Sequence, residues 1–301
     1  MSEPAPARRY DSPVTDWPWW LGPVGLVVAI LLALAAALVV EVPATLLGAH
    51  FTASGEPPGG VELIDTVLQD AIFVVTAVML AQSGLRRVRS SQFGLVPTPA
   101  RRAAVLVVLA FVLFLAVSVI WATLLETSTK EKLLEQLGAN EGTVLLIGSA
   151  VLTCVIAPIC EEILFRGLIF TSLRNWRGPW PAAVLTGLVF GLVHGTSAPA
   201  QDLLPLAFLG FALCVLYRMT GSLYPCIAAH ALNNSIAFGE LEGWGWQIPV
   251  LLVSALTAIY LLMLLGQRIG LISGGGGGDG DARGGGGGGE PSPANAGAAG
   301  P

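Results

Sequence analysis

Charge is what this chain has least of. Only 12% of its 301 residues are Asp, Glu, Lys or Arg, about half the usual share for a soluble domain, while 54% are hydrophobic and the mean hydropathy is +0.73. A water-soluble protein of this size is thereby excluded. Cysteine is also scarce. The four residues Cys154, Cys160, Cys214 and Cys226 all fall in apolar stretches and form no C-x-x-C pair, so neither a disulfide framework nor a thiolate zinc site is expected. Histidine occurs only three times, so any imidazole chemistry must come from His50, His194 and His230. There is no basic run to attract nucleic acid, and the net charge is a modest -5.

Long apolar runs stand in place of charge. They predict an all-α, polytopic membrane bundle of about eight spans: Leu21 to Val40, Val61 to Gln82, Ala103 to Leu125, Thr143 to Trp176, Pro181 to His194, Gln201 to Met219, Gly221 to Phe238 and Ile248 to Gly266. The fourth is long enough to project beyond the bilayer or to break near Pro158. Leu21 to Val40 is longer than a signal-peptide core and has no A-x-A site behind it, so it is expected to stay as an anchor. Trp17, Trp19 and Trp20 just before it are expected in the interfacial aromatic belt. The connector from Glu126 to Gly142 reads as an amphipathic surface helix around Leu133, Leu134 and Leu137. Residues 1–16 and the Gly-rich segment 273–301 read as disordered tails, leaving 17–272 as the membrane domain. With a cytoplasmic amino terminus, every Lys and Arg except Lys130, Lys132 and the intrahelical Arg166 falls on the cytoplasmic side, and both termini lie there.

Against that background the run Cys160-Glu161-Glu162-Ile163-Leu164-Phe165-Arg166 stands out. An acid in the middle of a span costs roughly 2.5–3.5 kcal/mol on insertion scales, and here two are adjacent. At about 100° per residue, Arg166 lies about 40° from Glu162 and about 140° from Glu161 around the helix. Glu162 therefore pairs with Arg166, in the favourable order, and Glu161 is left to face other helices as the reactive group. A structural ion network is the alternative reading. Asp70, deep in the second span, is the second candidate acid, whereas Glu62 and Asp65 near that helix's start suit its dipole.

Two further spans carry polar groups. Phe190 and His194 share a face, beside a small-residue stripe of Gly187, Gly191 and Gly195 that permits close helix approach; His230 and Asn234 share a face of the seventh span. Measured from the cytoplasmic helix ends at about 1.5 Å per residue, Glu161, His194, His230 and Asn234 fall roughly 14–20 Å deep. They converge on one layer and define one site, in a water-filled cavity. A carboxylate, two imidazoles and an amide can activate water and stabilise an oxyanion.

The ordered set E-E-x-x-x-R (Glu161, Glu162, Arg166), F-x-x-x-H (Phe190, His194) and H-x-x-x-N (His230, Asn234) resembles the CPBP (Abi) family, the CAAX-protease and bacteriocin-processing membrane endopeptidases that include the type II prenyl-protein proteases. The likeness covers about residues 143–240. It implies a multi-pass enzyme of the cell membrane that hydrolyses membrane-associated or lipidated peptides. Glu161 would be the general base assisted by His194, His230 and Asn234 would form the oxyanion hole, and Glu162, Arg166 and Phe190 would support them. The same resemblance leaves a metal open: Glu161, His194 and His230 could ligate Zn²⁺. There is no H-E-x-x-H, and with Glu161 as ligand the base would have to be Glu162, already paired with Arg166, so the expected mechanism needs no cofactor. The alternatives are a non-catalytic scaffold or immunity protein, or a proton-coupled transporter using the Glu/His cluster as a relay; no duplicated halves support the latter.

Overall fold

The computed structural model describes residues 15–51, 57–82, 88–125 and 142–272. Among these every regular element is helical. We number the main helices α1 (Leu21–Leu46), α2 (Gly59–Ala81), α3 (Ala100–Leu125), α4 (Thr143–Arg177), α5 (Pro179–Val193), α6 (Leu203–Thr220), α7 (Tyr224–Leu241) and α8 (Gln247–Arg268). Six segments are long and apolar enough to cross a bilayer: α1, α2, α3, α4, α8 and α6 with the 3₁₀ turn before it. The shorter α5 and α7, at 15 and 18 residues, are the two that carry the histidines. The chain is a multi-pass integral membrane protein. The predicted tails and the surface helix around Leu133 lie outside the described residues, save Thr15, Asp16 and Gly142 at their edges.

α4 is the axis of the bundle. Its middle packs against α1, α2, α5, α6 and α7, and Leu164, Phe165, Leu168 and Phe170 are fully buried there. By contrast α1, α3 and α8 turn Val39, Leu46, Val108, Val112, Leu261 and Leu265 outward, as helices facing lipid do. α4 does not break at Pro158. Proline lacks an N–H and its ring crowds the carbonyl four residues earlier. The helix absorbs this by widening to π turns over Leu152–Ile156, just before Pro158, and again over Ile163–Phe170.

Chain reversals fix how the later helices enter. α4 ends at Gly178, whose φ of +83° few other residues tolerate, and Pro179 then opens α5 at a position where no N–H is needed. The short turn Ser90–Phe93 wedges under the junction of α6 and α7. Tyr217 donates its hydroxyl to the Phe93 carbonyl at 3.0 Å, Leu223 N–H donates to Gly94 O at 2.8 Å, and Ser222 Oγ donates to Val96 O at 2.6 Å.

Trp17 departs from the belt expectation. It is buried and packs on Phe93 with ring centroids 5.2 Å apart, because the Ser90–Phe93 turn brings an aromatic ring to it. Trp19 and Trp20 remain about half exposed, and Trp19 stacks on Trp176.

Candidate active site

The two acids of α4 have different surroundings. Glu162 and Arg166 are completely buried, with Arg166 Nη1 2.8 Å from Glu162 Oε1, so the pairing expected from helix geometry is present. Arg166 also reaches α6, donating Nη2–H to Gly210 O at 3.1 Å, and its guanidinium lies 4.5 Å from the centroid of the Phe190 ring. His230 Nδ1 lies 3.0 Å from the same Glu162 oxygen. One buried carboxylate thus ties α4 to α7 directly, and through Arg166 to α6 and α5.

Glu161 points elsewhere, into a cavity of about 620 Å³. Its Oε2 lies 4.0 Å from His194 Nε2 and 3.9 Å from His230 Nε2, and has no hydrogen-bond partner among the described residues. The proton positions follow from the partners. Phe190 O lies 2.7 Å from His194 Nδ1, and a carbonyl only accepts, so His194 Nδ1 is the donor. Likewise the Arg166-paired Glu162 accepts from His230 Nδ1. In the neutral rings both Nε2 lone pairs are then free.

Asn234, half-buried in the cavity wall, donates one Nδ2–H to Thr153 O at 2.9 Å and accepts from Asn233 Nδ2 at 3.3 Å. That leaves its second N–H to give. Phe190 holds the assembly together: it meets the Phe165 and His230 rings edge-on and leans on His194. Every residue of the three motifs is therefore in one place.

The glycine stripe explains how α5 gets there. A Cβ on Gly187 would lie 2.7 Å from Ala207 O and Phe211 N of α6, and one on Gly191 would collide with Leu203 O. Gly195 is not part of this contact, because the helix has ended at Val193 and its nearest neighbour is a Leu203 methyl at 3.9 Å. Asp70 is also in the cavity wall, almost wholly buried. It ends a polar face of α2, Glu62, Thr66, Gln69 and Asp70, that lines the same space. Thr66, Gln69, Asn233 and the Thr153 carbonyl are the parts that sequence reasoning missed; the i, i+4, i+7 spacing of Glu62, Thr66 and Gln69 was the available signal.

The donor set has the chemistry of a metal site, two imidazoles with their other nitrogens tied down and a carboxylate. Its spacing is wider than one. Ligands on a tetrahedral zinc lie about 3.3 Å apart, against 3.9 and 4.0 Å here. Among the described residues no group of three or more such side chains is arranged to hold an ion. A single water about 2.8 Å from each atom would span the 3.9 and 4.0 Å separations with an angle of about 90°.

Fold and site together define a polytopic helical membrane protein with a Glu–His–His–Asn cluster in an internal cavity. Residues 143–236 match the family described as Type II CAAX prenyl endopeptidase Rce1-like. That segment, about a third of the chain, is what resembles the CPBP/CAAX proteases. The chain is 32% identical over 93 residues to the Bacillus subtilis (strain 168) protein named "Putative membrane peptidase YdiL", covering 31% of this chain and 37% of that one. It is 31% identical over 88 residues to a protein of Mycoplasma capricolum subsp. capricolum with no described function, covering 29% and 25%. The matches thus span 37% and 25% of these two relatives' lengths. No solved structure matches the chain significantly.

Proposed function

We propose that the protein is an intramembrane endopeptidase that hydrolyses peptide bonds of membrane-associated or lipidated substrates with a water activated by Glu161. The observation that carries this reading is the orphaned Glu161 Oε2, facing two imidazole nitrogens across gaps that suit a water. A water there donates one hydrogen to Glu161 and the other to an Nε2 lone pair. Glu161 takes the first proton as the oxygen attacks the substrate carbonyl carbon. The tetrahedral oxyanion needs N–H donors. Asn234 has one uncommitted N–H, held in place by its bond to Thr153 O. His230 serves as a second donor only when both its nitrogens carry protons, since Nδ1–H is engaged by Glu162. When the C–N bond breaks, the proton held by Glu161 passes to the departing amine, directly or through His194 Nε2. No step requires a metal.

The family segment and the likeness to YdiL support a peptidase. The apolar walls from Leu26, Ile30 and Phe73 support a substrate held within the membrane rather than in water. The test is incubation of detergent-purified protein with a peptide library drawn from membrane proteins. New termini at defined sequences are expected; an uncut library, together with proton or solute flux in liposomes, would replace this reading with a relay.

A further inference from the structure

Two acids in the cavity wall, Glu62 and Asp70, are not used by the proposed reaction, and Asp70 is the buried one. Asp70 is 1% exposed, its Oδ2 has no hydrogen-bond partner among the described residues, and it lines the cavity that contains Glu161. Both carboxylates line the same cavity. Among the described residues no Lys or Arg lines that cavity, and Arg166 is committed to Glu162. An ionised carboxylate there without a counter-cation would cost several kcal/mol, and either a proton or a cation arriving from outside removes that cost. Gln69 and Thr66, on the same side of α2, supply amide and hydroxyl groups for the rest of such a partner.

We infer that Asp70 is the substrate-recognition group for a cationic side chain, seating a Lys or Arg of the peptide beside Glu161. This rests on the peptidase reading for its biological sense but not for its chemistry. Asp70 lies on α2, outside the matched segment 143–236, so the preference belongs to this chain's own wall of the cavity rather than to the shared core. Apolar residues from α1, Leu26, Ile30 and Leu34, complete that wall. The substrate that fits is an apolar membrane peptide with one basic residue next to the scissile bond.

The test separates binding from cleavage. The full chain carrying Glu161→Gln is purified in detergent, and fluorescence anisotropy measures binding of short acetylated, amidated Leu/Ala peptides bearing a single Lys, Arg, Gln or norleucine at successive positions. Lys or Arg at one position is expected to bind about tenfold or more tighter than norleucine. Adding Asp70→Asn should abolish that preference while leaving norleucine peptides bound as before, and Asp70→Glu should retain part of it. No preference for a cation at any position overturns the inference, even if Asp70→Asn cannot be purified. A preference that survives Asp70→Asn also overturns it. With Glu161 restored, peptides that bind by this rule but stay intact would remove the peptidase reading and leave the recognition standing.

Discussion

The Nδ1 of His230 lies 3.0 Å from Oε1 of Glu162, with both side chains buried. This bond sets the tautomer of His230 and turns its Nε2 toward Glu161. A carboxylate outside the cavity lining thereby orients an imidazole that lines it.

Arg166 should accordingly be a stability residue first. Arg166→Ala leaves the Glu162 carboxylate buried without its cation and empties the contact on Phe190. A loss of about 3–5 kcal/mol is expected. Thermal unfolding of the detergent-solubilised protein checks this, as a markedly lowered midpoint or failure to accumulate, whereas Glu161→Gln should unfold close to wild type.

Asn234 and His194 should show the opposite profile. On the proposed mechanism Asn234→Ala removes an N–H donor to the oxyanion, and its cleavage rate is expected to fall about 10²- to 10³-fold. His194→Ala, which removes a water and proton partner of Glu161, should cost about 10²- to 10⁴-fold. Both are read as kcat on a peptide the wild type cuts. Unfolding midpoints close to wild type would confirm that chemistry rather than folding was lost.

The α5–α6 contact makes a prediction that discriminates among glycines. Gly187→Ala forces a methyl into the backbone of α6 and should destabilise by about 1–3 kcal/mol, with activity falling as His194 shifts. Gly195→Ala meets only a flexible leucine methyl and should be neutral in both assays.

Chelation addresses the metal directly. With Glu161, His194 and His230 spaced for a water, excess chelator should leave the cleavage rate unchanged. Loss of activity restored by added zinc would mean that the cluster tightens around an ion.

Much of the site is legible in the sequence because it rests on helix period and depth. Glu162 and Arg166 meet, and Glu161 does not join them, since four residues bring side chains together and five do not. His194, His230 and Asn234 line one cavity, as their positions along their helices led one to expect. What could not be read depends on tertiary contact. Trp17 is indistinguishable from its neighbours until Phe93, from a distant turn, covers it. The fate of Pro158 depended on whether the helix would kink or widen, and burial of the segment on both sides holds it straight enough to widen. The polar face of α2 was masked by Ile64, Val67 and Leu68, which intervene in sequence but not on that face.

The most direct measurement is the cleavage rate of one identified membrane peptide by wild type and by Glu161→Gln, purified side by side and shown to be equally folded. With Glu161 as the base on water, the variant keeps the shape of the site and loses about 10²- to 10⁴-fold in rate. Equal rates in the two proteins would contradict that role and move the search for the base to Asp70 and the histidines.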